Sequence, residues 1–494
     1  MDLVGFGLTV HDSSVAAYKD GKFLYRKAER QFNQKHAHGN MEWALSVLKE
    51  WEITEYESAE ATQLKGKNKQ KLKEGNKLDY HYAQSLSSSK QTHVDVVLGN
   101  SSIGPADKPE EEGYYTGLIK VGTRQVDRFS ERPIPEVLNT LVRSNYFNNE
   151  TDVRKFITES INIKDYAKQI IESGKTPSNW EAFIKTVYLP EKIMHLQGLG
   201  KPNEDKLNEW LRHQYRNLMV ISESIHNPPD KIDANFIATV HKFCEANIIQ
   251  RLPPIEFSYS GTCAQNAVWN RAIIDGYYKP NIEPWSYEAG CSIGALNYLL
   301  DKHNIERHDD WMQDDEAPDD EPDGLTLAEV AELIAQNKVV GWYQGHGEVG
   351  LRSLGKRSIL FNPANKDAKE IVNKIKQREW WRSFGASVLE EKASHFFDLP
   401  VSRHRLFNSK VLYSGIPGVT HVDGTCIHQT VPDDDTPIQW LLTYLEQETD
   451  IPVVLNTSLN KPGKPLCSTI DQAMDLFNTT DMDAICIGNE VYKK

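Results

Sequence analysis

The order of apolar and polar residues predicts a chain in which strands and helices alternate. Residues 3–10 are mostly apolar, and two β-rich runs follow on either side of Asp20-Gly21, a pair typical of a two-residue hairpin turn. Residues 38–53 then place their apolar side chains at helical spacing. The first part of the chain therefore predicts a β-hairpin followed by an amphipathic helix.

The middle of the chain changes character twice. Residues 93–104 read as a strand that ends in a polar turn, and residues 150–250 show repeated helical spacing. Alternation returns at 255–260, and the sequence "GTCAQNAVWNRAII" follows it. A strand, a glycine turn and a helix form a ligand-binding geometry, because a helix N-terminus offers free N–H groups. We assign Gly261 and Asn266 as nucleotide-binding candidates on this turn.

The acidic stretch 309–323, "DDWMQDDEAPDDEPD", divides the chain into two parts. An amphipathic helix is predicted directly after it, in "LTLAEVAELIAQNK". We therefore expect a first domain over residues 1–308 with a helical insertion at about 150–250, a linker at 309–325, and a second domain over 326–494.

Composition narrows the class of protein. The chain has 494 residues, 39% of them hydrophobic and 26% charged, and its formal net charge is −14. This charge argues against general binding to nucleic acid or to anionic membranes. The six cysteines form no C-x-x-C pair, which favours buried free thiols in a reducing compartment. The sequence shows neither a signal peptide nor a membrane-spanning stretch, so we expect a cytoplasmic protein.

Two stretches depart from this acidic background. Residues 65–77, "KGKNKQKLKEGNK", contain six lysines and one glutamate, which suits a solvated loop or a contact with a polyanion. Residues 340–360 contain five glycines and the cations Arg352, Lys356 and Arg357. Glycines let the backbone approach a ligand closely, and arginine and lysine bind phosphate. The second stretch reads either as a phosphate-binding loop or as a solvated loop with surface charge.

Several further motifs follow this glycine-rich stretch in a fixed order. They are "QREWWRSFGASVLEE" (377–391), "HVDGTCIHQTV" (421–431), "PVVLNTSLNKPGKPLCST" (452–469) and "DMDAICIGN" (481–489). Together with "HDSSVAAYKDGKFLYRKAERQFNQKH" (11–36) and "YSGTCAQN" (259–266), they resemble the NodU/CmcH-type O-carbamoyltransferases, the family of the tobramycin carbamoyltransferase. The resemblance covers 255–494 strongly, 1–40 fairly and 41–250 weakly.

The resemblance implies an α/β fold with two catalytic domains. The N-terminal domain would be actin/Hsp70-like and related to the TsaD tRNA-modification enzymes, and the C-terminal domain YrdC-like. The C-terminal domain would make carbamoyl-adenylate from carbamoyl phosphate and ATP, with Mg²⁺ as cofactor. The N-terminal domain would then move the carbamoyl group to an acceptor hydroxyl.

Site residues follow from the same resemblance, position by position. His11 matches the family's catalytic histidine, and Asp12 follows it; an imidazole can take the proton of an attacking hydroxyl. Asn456 and Asn460 lie in "NTSLN" as further nucleotide-binding candidates. Five residues fall at the family's carbamoyl phosphate positions, where fixed cations and hydroxyl donors suit a bound anion: Arg352, Lys376, Arg382, Thr425 and Ser458.

The sequence departs from the family at its iron site. Tyr80 and Gln84 stand where the outer metal-binding histidines are expected, and only the middle His81 remains. Leu98 replaces one acidic ligand, while Glu288 stands at the position of the last. Tyrosine and glutamine are poor metal ligands beside histidine. We therefore expect no iron site of the family type.

This departure leaves two functions of different class open. The first is a carbamoyltransferase with a rebuilt acceptor site. The second is a partner subunit that only forms the adenylate or scaffolds another chain. The acceptor is a small-molecule hydroxyl or the hydroxymethyl group of a modified pyrimidine such as 5-hydroxymethylcytosine in DNA, held through Lys65–Lys77. A homodimer is also allowed for.

Overall fold

A computed structural model describes residues 2–9, 12–62, 76–88, 94–103, 115–121, 124–129, 256–308, 311–378 and 382–494, with short stretches between 194 and 252. The chain forms two compact units. One holds Met1–Leu98, Ile103–Ser130 and Pro253–Lys494, and the other holds Gly99–Ser102 and Glu131–Leu252. His11, the lysines from 65 to 73 and most of the predicted helical insertion lie outside the described residues.

The N-terminal hairpin forms where the sequence predicts it. Strand β1 pairs antiparallel with β2, and β2 with β3. Asp20 and Gly21 both have positive φ, 51° and 80°, which suits the tight turn between β2 and β3. The strands of this region are β1 (Asp2–Gly7), β2 (Ser14–Lys19), β3 (Lys22–Lys27), β4 (Tyr56–Thr62) and β5 (Asn76–Asp79).

Helices cover both faces of the N-terminal sheet. Side chains alternate along β1, so Leu3 packs with one apolar cluster and Val4 with the other. Gly5 is needed for close contact, since a Cβ there would lie 2.0 Å from the carbonyl oxygen of Ser292. The helices are α1 (Ala28–Gln31), α2 (Met41–Glu50), α3 (Tyr80–Ser85), α4 (Ala267–Asp275) and α5 (Cys291–Lys302). Helix α5 covers the Leu3 face and α2 the Val4 face.

A second sheet leads into the predicted ligand-binding turn. Its order is β10-β9-β6-β7-β8, with β9 parallel to β6 and β10. Strand β9 ends at Ser260, and α4 begins at Ala267, as the strand–turn–helix pattern predicts. The strands are β6 (Val94–Ile103), β7 (Tyr115–Val121), β8 (Arg124–Phe129), β9 (Glu256–Ser260) and β10 (Lys279–Asn281).

The acidic stretch is packed against both parts that it joins. Its residues Met312–Gln313 form β11, which pairs parallel with β3 and completes the order β11-β3-β2-β1-β4-β5. Asp315 lies 3.4 Å from the guanidinium of Arg357, and both side chains are buried. The backbone amide of Glu316 donates to the carbonyl of Ser468 at 3.0 Å. This stretch therefore fixes the C-terminal domain to the N-terminal sheet.

The C-terminal domain is a seven-stranded mixed sheet between two layers of helices. Its order is β17-β14-β18-β13-β12-β19-β20. The strands are β12 (Val340–Tyr343), β13 (Arg357–Phe361), β14 (Gly385–Leu389), β15 (Ser409–Lys410), β16 (Thr425–Cys426), β17 (His428–Val431), β18 (Val453–Ser458), β19 (Ala484–Ile487) and β20 (Glu490–Lys493); β15 and β16 form a separate ribbon. The helices are α6 (Gly324–Ala335), α7 (Ala368–Ile375), α8 (Ala393–Phe396), α9 (Pro437–Thr449) and α10 (Ile470–Thr479).

Core formation in this domain follows from strand alternation. Helices α7 and α10 cover one face and α6 and α9 the other, each over a buried apolar cluster. The fold is thus mixed α/β, as predicted. The cysteines that the structure describes are buried: Cys263, Cys291, Cys426, Cys467 and Cys486. In the described part of the chain, every helix is too short or too polar to cross a membrane.

Candidate active site

Strand direction gathers the predicted phosphate-binding residues at one end of the C-terminal sheet. Strand β14 begins at Gly385 beside β17, which runs parallel to it, and β18 runs antiparallel to both β14 and β13. The starts of β13, β14 and β17 therefore meet the end of β18. The predicted residues lie on the segments that enter or leave this end: Arg352, Lys376, Arg382, Thr425 and Ser458.

Lys376 and Ser458 are in direct contact there. Lys376 follows α7 as its C-cap and is only 5% exposed. Its ammonium group donates to Oγ of Ser458 at 3.1 Å and to the carbonyl oxygen of Asn460 at 3.0 Å. It also contacts the carbonyl of Ser458 and Oδ1 of Asn460. One buried cation, one hydroxyl and one amide therefore form a compact polar cluster.

The surroundings of Lys376 make it a weak base. Burial lowers the pKa of its ammonium group well below the usual lysine value, and the nearby charges of Arg378, Arg382 and Lys35 lower it further. Several cations thus converge on one buried position. An anion bound among them would relieve their mutual repulsion and favour the charged ammonium.

The glycine-rich turn is organised from within by Glu348. Its Oε1 accepts hydrogen bonds from the backbone amides of Leu354 at 2.7 Å, Lys356 at 2.8 Å and Arg357 at 3.2 Å. A carboxylate of the chain itself thus takes the amides that a phosphate-binding loop would offer to its ligand. Any phosphate at this turn is consequently held by side chains and not by these amides.

The three cations of the same turn have different environments. Arg357 is fully buried, stacks on the ring of Tyr343 at 3.5 Å, and donates to the carbonyl oxygens of Gln344 and Glu316, both at 2.8 Å. It therefore stabilises the fold. Lys356 is exposed. Arg352 is half-buried and projects toward the other half of the molecule.

Arg352 reaches the predicted nucleotide-binding turn. Its Nη2 donates to the carbonyl oxygen of Gln265 at 3.2 Å. In that turn Gly261 has a φ of 92°, which favours glycine. Asn266 is the N-cap of α4, and its Oδ1 accepts from the amides of Val268 at 3.1 Å and Trp269 at 3.2 Å. Asn266 thus positions the helix, and the two sequence-predicted binding segments lie side by side.

Asn456 belongs to a buried polar chain across the sheet. Its Oδ1 accepts from Ser353 and its Nδ2 donates to Ser387, each at 2.9 Å. Ser387 in turn donates to Gln429 at 2.8 Å, and Gln429 donates to the carbonyl of Leu354 at 3.0 Å. This chain links the strands to the glycine-rich turn. Asn456 therefore holds the turn in place.

Thr425 lies in a tight turn of its own. Its hydroxyl donates to Oδ1 of Asp423 at 2.6 Å, and its amide donates to the same oxygen at 3.1 Å. Its carbonyl accepts from the amide of His421 at 2.7 Å. Thr425 lies at the sheet end, and no described contact joins it to Lys376 or Arg352.

A second polar cluster lies in the N-terminal half. His11 is outside the described residues, but Asp12 is buried there with a φ of 57°. Oδ2 of Asp12 lies 2.9 Å from Nδ1 of His36, whose side chain is half exposed. A carboxylate at Nδ1 fixes the orientation of an imidazole. Asp12 therefore orients the ring of His36.

Charged groups beneath this pair are neutralised within the fold. Lys27 donates to Glu29 and to the hydroxyl of Tyr287, both at 2.5 Å. Burial raises the pKa of Glu29, but the charges of Lys27 and Arg30 outweigh it and hold that pKa below its ordinary value. Cys263 is buried, which raises its thiol pKa, so it packs as an inert thiol.

The residues at the expected iron positions do not fit iron. Glu288 and Gln84 are both buried, and the backbone carbonyl oxygen of Gln84 accepts from the hydroxyl of Ser260 at 3.0 Å. The side chains of Tyr80, His81 and Leu98 lie outside the described residues. Over the ranges given above, the structure contains no group of three or more metal-capable side chains. With one acid and no histidine pair, this set lacks the donors of an iron centre. The absence of an iron site stays a prediction.

One segment connects the two polar clusters. Arg30 donates to the carbonyl oxygens of Glu348 at 3.1 Å and Leu466 at 3.3 Å, and its own carbonyl accepts from Ser468 at 3.0 Å. Lys464 donates to the carbonyl of Asn33 at 2.9 Å. The residues between Glu29 and His36 thus lie between the Asp12 pair and the C-terminal site.

Sequence reasoning missed three residues of these sites. They are Glu348, which orders the glycine-rich turn, His36, which faces Asp12, and Arg405, a buried arginine beside Ser353. His36 lies inside the N-terminal motif and Glu348 inside the glycine-rich stretch, so the motifs could have indicated both residues. Arg405 lies in no motif, and only the fold reveals it.

The chain has known relatives. The family described as carbamoyltransferase C-terminus matches residues 331–494. The nodulation protein NolNO of Sinorhizobium fredii is 34% identical over 268 residues, 48% of this chain and 39% of that protein. The 3′-hydroxymethylcephem-O-carbamoyltransferase of Amycolatopsis lactamdurans is 26% identical over 309 residues, 59% of each chain. These matches confirm the family resemblance predicted from the motifs.

The aligned regions cover only part of this chain and of its relatives. The chain spans about half the length of the curated relatives it matches. Among solved structures, component A of the Acidaminococcus fermentans (R)-2-hydroxyglutaryl-CoA dehydratase overlaps 62% of this chain at 11% identity with a TM-score of 0.31. That overlap is too low to assign a fold.

Proposed function

We propose that this chain, a relative of the NodU/CmcH-type O-carbamoyltransferases, is an ATP-dependent O-carbamoyltransferase that works through carbamoyl-adenylate. The observation that supports this most is the buried ammonium of Lys376, which meets Ser458 and Asn460 within a domain that matches the carbamoyltransferase C-terminus. Fixed cations and hydroxyl donors at one sheet end are what a small phosphorylated substrate requires.

The first reaction is adenylation at the C-terminal site. Carbamoyl phosphate gives up its phosphate to water, and an oxygen of the resulting carbamate attacks the α-phosphorus of ATP. Pyrophosphate leaves, so one water is consumed and one phosphate and one pyrophosphate are released per adenylate. Lys376 and Arg352 hold the negative charge, and Arg382 adds to the cationic field. The hydroxyls of Ser458 and Thr425 turn from Asn460 and Asp423 to donate to the ligand. Mg²⁺ accompanies ATP as the counter-ion of its phosphates.

The second reaction is transfer to an acceptor. The acceptor hydroxyl attacks the carbonyl carbon of the adenylate, AMP leaves, and a side chain takes the hydroxyl proton. His11 is the proposed base, and the Asp12–His36 pair lies beside it in the chain. The hydrogen bond from Arg30 to Leu466 would hold the two sites close together, so that carbamoyl-adenylate has only a short distance to travel between them. No step passes through a metal of the N-terminal half.

The domain arrangement is part of the proposal. The N-terminal part would be an actin/Hsp70-like, TsaD-like domain, and residues 326–494 a YrdC-like domain. Sheets covered by helices in both parts agree with this arrangement. Gly261 and Asn460 remain candidates for contact with the nucleotide, whereas Asn266 and Asn456 would act by ordering the site.

The acceptor is proposed as a hydroxyl of a small molecule. A hydroxymethylated pyrimidine in DNA is the second candidate, favoured by the lysine-rich run at 65–77 in an acidic chain. The same chemistry applies to both, because one exocyclic hydroxyl is the nucleophile. A paired base would first have to leave the stack.

Product analysis tests the proposal directly. The purified chain is incubated with ATP, Mg²⁺ and carbamoyl phosphate, once with hydroxymethylcytosine DNA and once with a panel of polyols and aminoglycosides. Mass spectrometry measures carbamoyl gain, and a separate assay measures AMP and pyrophosphate. Pyrophosphate without any carbamoylated product supports the alternative of an adenylate-forming partner subunit. Absence of pyrophosphate in every tube contradicts the adenylation step.

A further inference from the structure

Arg405 lies at the sheet end, outside all the sequence motifs. The residue is 8% exposed, and its backbone adopts a left-handed φ of 55°. Its neighbour Leu406 accepts a hydrogen bond from Nδ2 of Asn270 at 2.8 Å, which fixes this backbone against α4. A non-glycine residue in this conformation costs free energy, so the surrounding contacts must hold it there. The position of the arginine is therefore imposed by the fold.

The guanidinium is anchored on one side only. Nη1 donates to both the carbonyl oxygen and Oγ of Ser353, each at 3.1 Å. A Cβ on Gly385 would lie 2.0 Å from Nη2 of Arg405, so only glycine at that position leaves room for the group. Gly385 is the first residue of β14. Arg405 thus extends over the strand start where the other phosphate-binding candidates converge.

Within the described residues its positive charge forms no salt bridge, although the carboxylate of Glu348 acts on it through space and stabilises the charged form. Within the part of the chain that the structure describes, no Asp or Glu oxygen lies at salt-bridge distance from Arg405, and its buried Nε has no hydrogen-bond partner. Burial lowers the pKa of the guanidinium to about 10, and the charge of Arg352 contributes. A buried arginine near a second cation is costly unless an anion joins the two charges.

The free edge of the guanidinium suits a phosphoryl group. Nε and Nη2 form the planar fork that binds two oxygens of a phosphate at once. We propose that Arg405 is a further substrate-binding residue that holds a phosphoryl group together with Arg352. This inference rests on the proposed function. The phosphoryl group belongs to carbamoyl phosphate or to ATP. Binding measurements with each ligand distinguish these two sources.

Binding measurements with single variants test the role of Arg405. Calorimetric titrations with carbamoyl phosphate, inorganic phosphate and Mg²⁺–ATP are compared for wild type, Arg405→Gln and Arg405→Lys. Arg403→Gln is the matched control, because Arg403 is exposed and already paired with Glu390 at 2.9 Å. Gly385→Ala is a second variant that keeps the charge; its Cβ would lie 2.0 Å from Nη2 of Arg405 and 2.5 Å from the carbonyl oxygen of Ile427, so its fold is checked by circular dichroism before titration.

We expect Arg405→Gln to weaken one phosphoryl ligand about 10- to 100-fold, as loss of a charged hydrogen-bonding pair does. A loss for carbamoyl phosphate and inorganic phosphate assigns the group to carbamoyl phosphate, and a loss for ATP alone assigns it to the triphosphate. Should Arg405→Gln fail to fold, Arg405→Lys and Gly385→Ala decide. If both variants bind the ligands as tightly as wild type does, the inference about Arg405 is wrong and the proposed function stands. If wild type binds neither ligand, the proposed function fails instead.

Discussion

The ammonium nitrogen of Lys376 lies 3.1 Å from the hydroxyl oxygen of Ser458, although 82 residues separate them along the chain. Lys376 ends helix α7, and Ser458 ends strand β18. Burial removes this lysine from water, so its charge depends on the groups and ligands around it. This pair is the element of the site whose chemistry responds most directly to pH.

Affinity for carbamoyl phosphate should fall as pH rises through the pKa of Lys376. Burial and the charge of Arg378 hold that pKa well below the usual lysine value, so the loss begins below the range of an ordinary lysine. The affinity falls with rising pH because the anionic ligand binds the ammonium form of Lys376 and not its neutral amine. Titration calorimetry between about pH 7 and pH 10 measures the change. Lys376→Met should remove this step in the profile.

The control for Lys376 lies two residues earlier in the same helix. Lys374 is exposed and paired with Asp481 at 2.9 Å, so Lys374→Met should leave the pH profile unchanged. A wild-type affinity that does not depend on pH over this range would show that Lys376 does not meet the ligand.

Arg352→Ala should abolish the use of carbamoyl phosphate while the fold stays intact. The side chain is half-buried, and its Nη2 donates to the carbonyl oxygen of Gln265. Loss of a cation at a bound phosphate costs about 10- to 100-fold or more in adenylate formation. Pyrophosphate release measures it, with the exposed Lys356→Ala as control. Near-normal release by Arg352→Ala would defeat the assignment.

His11→Ala should still form adenylate but transfer the carbamoyl group roughly 100- to 10,000-fold more slowly, the range for loss of a general base. Asp12→Asn tests the neighbouring pair, because it weakens the acceptor that orients His36. Rates of pyrophosphate release and of product formation are measured in parallel. His303→Gln, a surface histidine beside Glu57, is the control. Normal transfer by His11→Ala would place the base elsewhere, and His36→Gln then becomes the deciding variant.

Glu348→Ala should destabilise the C-terminal domain. Three backbone amides would lose their acceptor in the turn from Leu354 to Arg357. We expect the free energy of unfolding to fall by roughly 2–4 kcal/mol, measured by urea titration. The control Glu329→Ala removes only an exposed pair with Lys493 and should change stability by less than about 0.5 kcal/mol. Equal stabilities for the two variants would contradict this role of Glu348.

If DNA is the acceptor, the lysine-rich run should carry its binding. Changing Lys65, Lys67, Lys69, Lys71 and Lys73 to Ser removes five positive charges. Binding to hydroxymethylcytosine DNA should weaken, and its dependence on salt concentration should become shallower, because fewer counterions are released. Transfer to small-molecule hydroxyls should not change. Unaltered transfer to DNA by this variant would exclude the lysine-rich run as the contact.

Local sequence determined much of the secondary structure. The hairpin at Asp20-Gly21, the helix at Met41–Glu50 and the turn before α4 follow from residue spacing and turn chemistry, which act over a few residues. The ordered motifs also carried the family resemblance, and contacts in the fold bring two of the residues that they single out, Lys376 and Ser458, into one cluster.

Only the tertiary structure decided how the charged groups are used. Arg352 and Arg357 look alike in the glycine-rich stretch, yet Arg357 is buried on Tyr343 and bound to the acidic stretch. The amides of that turn bond Glu348, and Arg405 enters the site over Gly385. Partners of a charge are set by contacts between distant segments, and burial then fixes its energy. Residue type and spacing specify neither the partners of a charge nor its burial. The sequence therefore determined the helices and strands, and the tertiary structure determined the chemistry of the charged side chains.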